Sequence, residues 1–157
     1  MEQTINILIT GIPTLSLAAL IRARHPGEIQ VYAAECRPFE VQVAKGVSAL
    51  LAAGISVTMA TDNMIAALME TAGICAVWGQ YLRIESEQAV TVNGTLTAAL
   101  LAGIYNIPTV LYPAPDPGRG DVSMFAGIDI TIPGAKTMDW EFDKVPLTLI
   151  TEVVINE

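Results

Sequence analysis

Residues 29–60 read IQVYAAECRPFEVQVAKGVSALLAAGISVTMA, and the fold turns on this run. Ile29–Ala34 is a short apolar segment of strand length. Phe39–Ala53 places Val43, Val47, Leu50 and Leu51 on one helical face, and Gly54 stands where a helix C-terminal cap belongs. Ile55–Ala60 is a second strand. Strand, helix and strand in this order form a crossover unit, which builds parallel sheets covered by helices.

The same alternation continues outward on both sides. Upstream, Ile5–Thr10 (INILIT) reads as a strand, Gly11-Ile12-Pro13-Thr14 as a turn and Leu15–Arg24 as a helix. His25-Pro26-Gly27 stops that helix, since proline cannot continue it and glycine tolerates the exit turn. Downstream, Asp62 occupies an N-cap position ahead of a helix over Met64–Thr71, which Gly73 closes. Ile74–Trp78 is a fourth strand, and residues 79–94 carry no regular pattern. Thr95–Tyr105 reads as a helix, Ile107–Tyr112 as a strand, and Pro113–Gly120 (PAPDPGRG) as a loop dense in turn formers. Ile128–Ile132 and Leu149–Ile155 read as closing strands. The expected fold is one three-layer α/β domain over residues 1–157, with a largely parallel sheet and helices on both faces. No internal repeat or linker interrupts it.

Composition narrows the function classes. The 157 residues are 52% hydrophobic and 15% charged, which fits a sheet buried on both faces or a surface hidden in an oligomer. A net charge of −8 repels a phosphate backbone, so nucleic acid is not an expected partner, although local amides and one arginine suffice for a single phosphate. Two cysteines, Cys36 and Cys75, without a CxxC spacing read as free thiols in a reducing, cytoplasmic setting. One histidine, His25, leaves no metal-ligand set, and no cofactor is expected. Residues 88–115 carry no charge, but Asn93-Gly94, Asn106 and Pro108 divide them into pieces too short to span a bilayer. A buried strand, helix and strand is the expectation there, and the opening Met1-Glu2-Gln3 lacks the basic region of a signal peptide.

In open parallel sheets, ligands bind beyond the carboxyl ends of the strands. Those ends collect Gly11 and Thr14, then Glu35, Cys36 and Arg37, then Asp62 and Asn63, then Gly79-Gln80-Tyr81, with Gly94 and Thr95 opening a later helix. Helix N-termini at Thr14 and Thr95 offer amides to an anion, Arg37 a charged fork, and Asp62 and Asn63 partners for sugar hydroxyls. Each has a structural reading beside it: Gly94-Thr95 as turn and cap, Asp62 as an N-cap, Glu35 and Arg37 as an ion pair, Cys36 as packing. His25, at a helix end, reads as a residue favoured there as a cation.

As an ordered series these segments resemble a known family. Ile7-Leu8-Ile9-Thr10-Gly11, Val31–Pro38 (VYAAECRP), Gly54–Thr58 with Thr61-Asp62-Asn63-Met64, Gly94-Thr95 with Ile107-Pro108, and Phe142–Pro146 with Leu149-Ile150-Thr151 stand in family order at close to family spacing. The series is similar to the C-terminal, Rossmann-like domain of the translation initiation factor 2B and methylthioribose-1-phosphate isomerase family. The resemblance implies the layout shared by ribose-5-phosphate isomerases and CoA-transferases. It also implies self-association as a homodimer, and a small phosphorylated sugar or nucleotide as ligand. Full-length members carry a helical domain in front, for which this chain has no expected room. Subunits of this kind serve assembly and regulation, and the exchange activity of initiation factor 2B resides in others.

The departures matter as much. The isomerases resemble one another in a cysteine after the first strand and an aspartate in a "GAD" segment, which together move the proton between sugar carbons. Here Gly11-Ile12-Pro13-Thr14 holds no cysteine, Tyr81 falls at the aspartate position, and Thr91 and Val92 replace an Asn-Lys pair expected to hold phosphate. A tyrosine, with an ordinary pKa of about 10, is a poor base near neutrality. A non-catalytic, ligand-binding domain is therefore expected. The alternative is a sugar-phosphate aldose–ketose isomerase with Asp62 as base and Arg37 with Gly94-Thr95 as phosphate ligands.

Overall fold

The computed structural model describes residues 4–114 and 142–155. In chain order the elements are β1 (Ile5–Thr10), α1 (Leu15–Arg24), β2 (Ile29–Ala34), α2 (Glu40–Ala52), β3 (Ser56–Ala60), α3 (Ile65–Thr71), β4 (Ala76–Ile84), β5 (Gln88–Val92), α4 (Thr95–Tyr105), β6 (Thr109–Pro113), β7 (Phe142–Pro146) and β8 (Glu152–Val153). Strands β3, β2, β1, β4, β6 and β8 pair in that order and run parallel. The far half of β4 pairs antiparallel with β5, and β5 pairs antiparallel with β7. The α/β architecture with a mostly parallel sheet therefore stands.

The centre is β1, where Ile7, Leu8 and Ile9 are all fully buried. A strand covered on both faces reads as a continuous apolar run, as INILIT does. Consecutive residues of β4 show which helix covers which face. Trp78 lies under the Arg24 guanidinium of α1, 5.1 Å from its ring centre, whereas the Gly79 Cα faces Thr95 of α4. Successive strand residues point to opposite faces, so α1 and α4 sit on opposite sides of the sheet. A Cβ on Gly79 would stand 2.5 Å from the Thr95 methyl and 2.9 Å from Leu111, so α4 packs this close only because residue 79 has no side chain. Ala98, Ala99 and Ala102, all fully buried, continue that close contact. Arg22 of α1 donates to the Ala53 carbonyl at 3.1 Å and to the Gly54 carbonyl, joining a cation to the C-terminal end of α2.

Four segments depart from the sequence reading. Residues 79–94 are not irregular: β4 runs on to Ile84 and returns as β5. Ala89–Val92 are all buried, so β5 shows none of the apolar–polar alternation that marks a strand with one wet face. Phe142–Pro146, quoted above only as a signature, is strand β7. The closing strand over Leu149–Ile155 shrinks to Glu152–Val153, preceded by a 3-10 turn over Leu147–Leu149. The helix expected from Met64 starts with a 3-10 turn over Asp62–Met64 before α3. The expected strand at Ile128–Ile132 lies outside the described residues. Among the described residues, no helix is long and apolar enough to cross a membrane.

Candidate functional site

The strand ends converge as the parallel topology requires. At the end of β2, Cys36 adopts the left-handed conformation (φ 52°), which is uncommon for a residue other than glycine. Asp62, from the end of β3, holds that turn: one carboxylate oxygen accepts from the Cys36 amide at 2.8 Å, the other from the Arg37 amide at 3.0 Å. Asp62 is thus a clamp on a neighbouring loop and does not cap its own helix. The Thr61 hydroxyl instead meets the Asn63 side chain at 2.5 Å, and Asn63 is exposed. Burial raises the Asp62 carboxyl above its ordinary value, against the pull of the two amide bonds.

Glu35 and Arg37 pair, with Arg37 Nε 3.1 Å from the Glu35 carboxylate. Asn93 donates to the Arg37 carbonyl at 3.3 Å, bringing the turn before α4 against the same loop. Cys36 is fully buried and its Sγ accepts from the Gly11 amide at 3.1 Å. Burial first, then the Asp62 carboxylate, push its thiol far above the ordinary range, so Cys36 is a neutral thiol.

At both helix N-termini a side chain already takes part of what was expected for an anion, one amide at α1 and two at α4. The Thr14 hydroxyl accepts from the Leu17 amide at 3.1 Å. At α4, the Asp143 carboxylate of β7 accepts from the Gly94 and Leu96 amides, both at 2.9 Å. The fully buried Thr95 hydroxyl turns inward, donating to the Val92 carbonyl at 2.7 Å and meeting the Thr10 hydroxyl at 3.0 Å. Any ligand anion at α4 competes with Asp143.

Gly11, Glu35, Arg37, Asp62 and Gly94 therefore share one neighbourhood around Cys36 and the end of β1. Asn63 is exposed and bonded to Thr61, and Thr14 caps its own helix, so neither side chain is shown joining them. Tyr81 does not join them: its hydroxyl donates to the Val154 carbonyl at 2.9 Å, and burial raises its pKa. His25 sits away from the site at the end of α1, where burial and then the charge of Arg24 lower its pKa, so the neutral ring is favoured there and not the expected cation.

Gln80 stood among the strand-end residues without an assigned role, and two further contributors, Asp143 and Tyr112, escaped the sequence reading of the site. The Gln80 carboxamide accepts from the Ile12 amide at 2.9 Å and donates to the Ile12 carbonyl at 3.0 Å, fixing the turn after β1. Asp143 caps α4 from 47 residues away. Tyr112, fully buried, brings its hydroxyl beside Gly11. Only the polar character of Gln80 in a strand-end position hinted at a role; the other two are contacts between segments distant in sequence.

Comparison with known proteins bears on the family and the fold. Residues 2–114 match the model of the initiation factor 2 subunit family. A methylthioribose-1-phosphate isomerase of Geobacillus kaustophilus is 30% identical over 90% of this chain and 45% of its own length. One from Syntrophobacter fumaroxidans is 34% identical over 82% of this chain and 42% of its own. The chain thus spans less than half the length of these relatives. Among solved structures, the delta subunit of the translation initiation factor eIF-2B from A. fulgidus superposes with a TM-score of 0.73 at 21% identity, over 95% of this chain and 51% of that one. A 5-methylthioribose 1-phosphate isomerase from Pyrococcus horikoshii gives 0.73 at 18% identity, over 95% and 49%. On the extent of the family match, over more than half of its residues, the chain belongs to the initiation factor 2 subunit family.

Proposed function

We propose that this chain is a self-associating domain that binds a small phosphorylated sugar or nucleotide at the strand ends and does not turn it over. One observation carries the reading. The two residues weighed as bases have other partners: Tyr81 donates to the Val154 carbonyl, and both oxygens of Asp62 accept backbone amides. Moving a proton between sugar carbons needs a base within hydrogen-bond reach of the carbon acid. Arg37, engaging Glu35 through Nε, would turn its terminal nitrogens to a phosphate, the bidentate mode suited to guanidinium. Self-association is supported by α4, which carries no charged residue and leaves Leu100 and Ile104 exposed on a chain of net charge −8. Incubation with methylthioribose-1-phosphate followed by proton NMR should show no ketose product. Conversion at an enzymatic rate would overturn the non-catalytic reading.

The isomerase reading has its own support. The relatives are named as methylthioribose-1-phosphate isomerases, and burial raises the Asp62 carboxyl above its ordinary value, the direction that makes a carboxylate a stronger base. If turnover is found, Asp62→Asn should abolish it while leaving the circular dichroism spectrum unchanged. Full turnover in that variant would remove Asp62 from the chemistry.

A further inference from the structure

Residue 11 ends the central strand in the middle of the site and has no room for a side chain. A Cβ there would stand 2.3 Å from the Gln80 Cβ and 2.7 Å from the Tyr112 hydroxyl oxygen. Tyr112 belongs to β6, two strands from β1, and lies opposite Gln80 in register. Its ring therefore reaches across β4 and delivers its hydroxyl into the space that a side chain on residue 11 would fill.

Tyr112 is 2% exposed, and among the described residues its hydroxyl has no hydrogen-bond partner. Buried hydroxyls are as a rule hydrogen-bonded, and phenylalanine would fill the same volume without an unmet donor. The contrast with Tyr81, whose hydroxyl is satisfied by Val154, is direct. We infer that Tyr112 is a ligand-binding residue of the strand-end site, donating a hydrogen bond to an uncharged carbonyl or hydroxyl oxygen of the ligand. This rests on the proposed reading that the strand ends bind a sugar phosphate or nucleotide.

The surroundings decide the class of acceptor. Burial, then the neighbouring Cys36, hold the phenol well above its ordinary pKa, so it is a neutral donor and no base. Asp62, Glu35 and Asp143 all raise the pKa of Cys36, the neighbour of Tyr112, so three carboxylates act on this end of the sheet. A phosphate is repelled there, whereas a sugar hydroxyl or carbonyl is not. The phosphate end belongs outward, toward Arg37. The turn over Tyr112 is held by the bonds between Gln80 and Ile12, so the ligand oxygen it takes is the one that enters deepest.

The test pairs wild type with Tyr112→Phe in titration calorimetry against ribose-5-phosphate, methylthioribose-1-phosphate and AMP, with thermal melts of both proteins. The expected result is a melting temperature equal to or above wild type, with affinity for the ligand that wild type binds lowered about tenfold, the effect of one lost hydrogen bond. Unchanged affinity in a folded variant overturns the assignment of Tyr112 while leaving the binding reading intact. Failure of wild type to bind any of the three removes the binding reading, and this inference with it.

Discussion

Cys36 and Asp62 both have structural contacts at the end of β2, Asp62 accepting the Cys36 and Arg37 amides and Cys36 accepting the Gly11 amide. Cys36 is sealed at the end of β2 with a raised pKa, whereas Cys75 is exposed. A thiol reagent at pH 8 should modify one cysteine in the native protein and two after denaturation. Rapid native modification of both would show that the β2–α2 turn opens readily. The identities of Glu35, Arg37 and Asp62 as strand-end residues were legible because each follows a short apolar run. What each one touches was not. The Gln80 clamp on Ile12 spans 68 residues, and no local pattern announces a contact between segments so far apart.

At the scale of elements, strands and helices from β1 to α3 read well because each apolar run is closed by Gly, Pro or Asp. The hairpin of β4 and β5 was hidden for two reasons. QYLRI mixes polar and apolar residues because β4 leaves the buried sheet centre there, and AVTV of β5 is buried throughout. Strand β7 is a five-residue segment ending in proline, and its chief service is remote: it sets Asp143 at the N-terminus of α4. Asp143→Ala should destabilise the protein by about 1–2 kcal/mol in urea unfolding, the usual worth of a carboxylate cap. Asp143→Asn should recover part of that loss. A change below about 0.3 kcal/mol for the alanine variant would mean that solvent serves the α4 amides equally well.

For the whole molecule, the apolar composition has two visible destinations. One is the doubly covered sheet. The other is the outer face of α4, where Ile104 is 72% exposed and Leu100 49%. Uncharged helix faces of this kind on an acidic chain mark where two copies could meet without repulsion. Light scattering coupled to size exclusion should give a dimer for wild type, and a folded monomer for Ile104→Glu. A wild-type monomer at high concentration would contradict self-association, and a dimeric variant would move the interface off α4.

The central claim is binding without conversion at the ends of the parallel strands. Calorimetric titration of wild type with methylthioribose-1-phosphate, followed by NMR of the same sample, tests it most directly. Saturable binding with the aldose recovered unchanged is the predicted result. Conversion to the ketose, or no heat of binding at millimolar ligand, would contradict it.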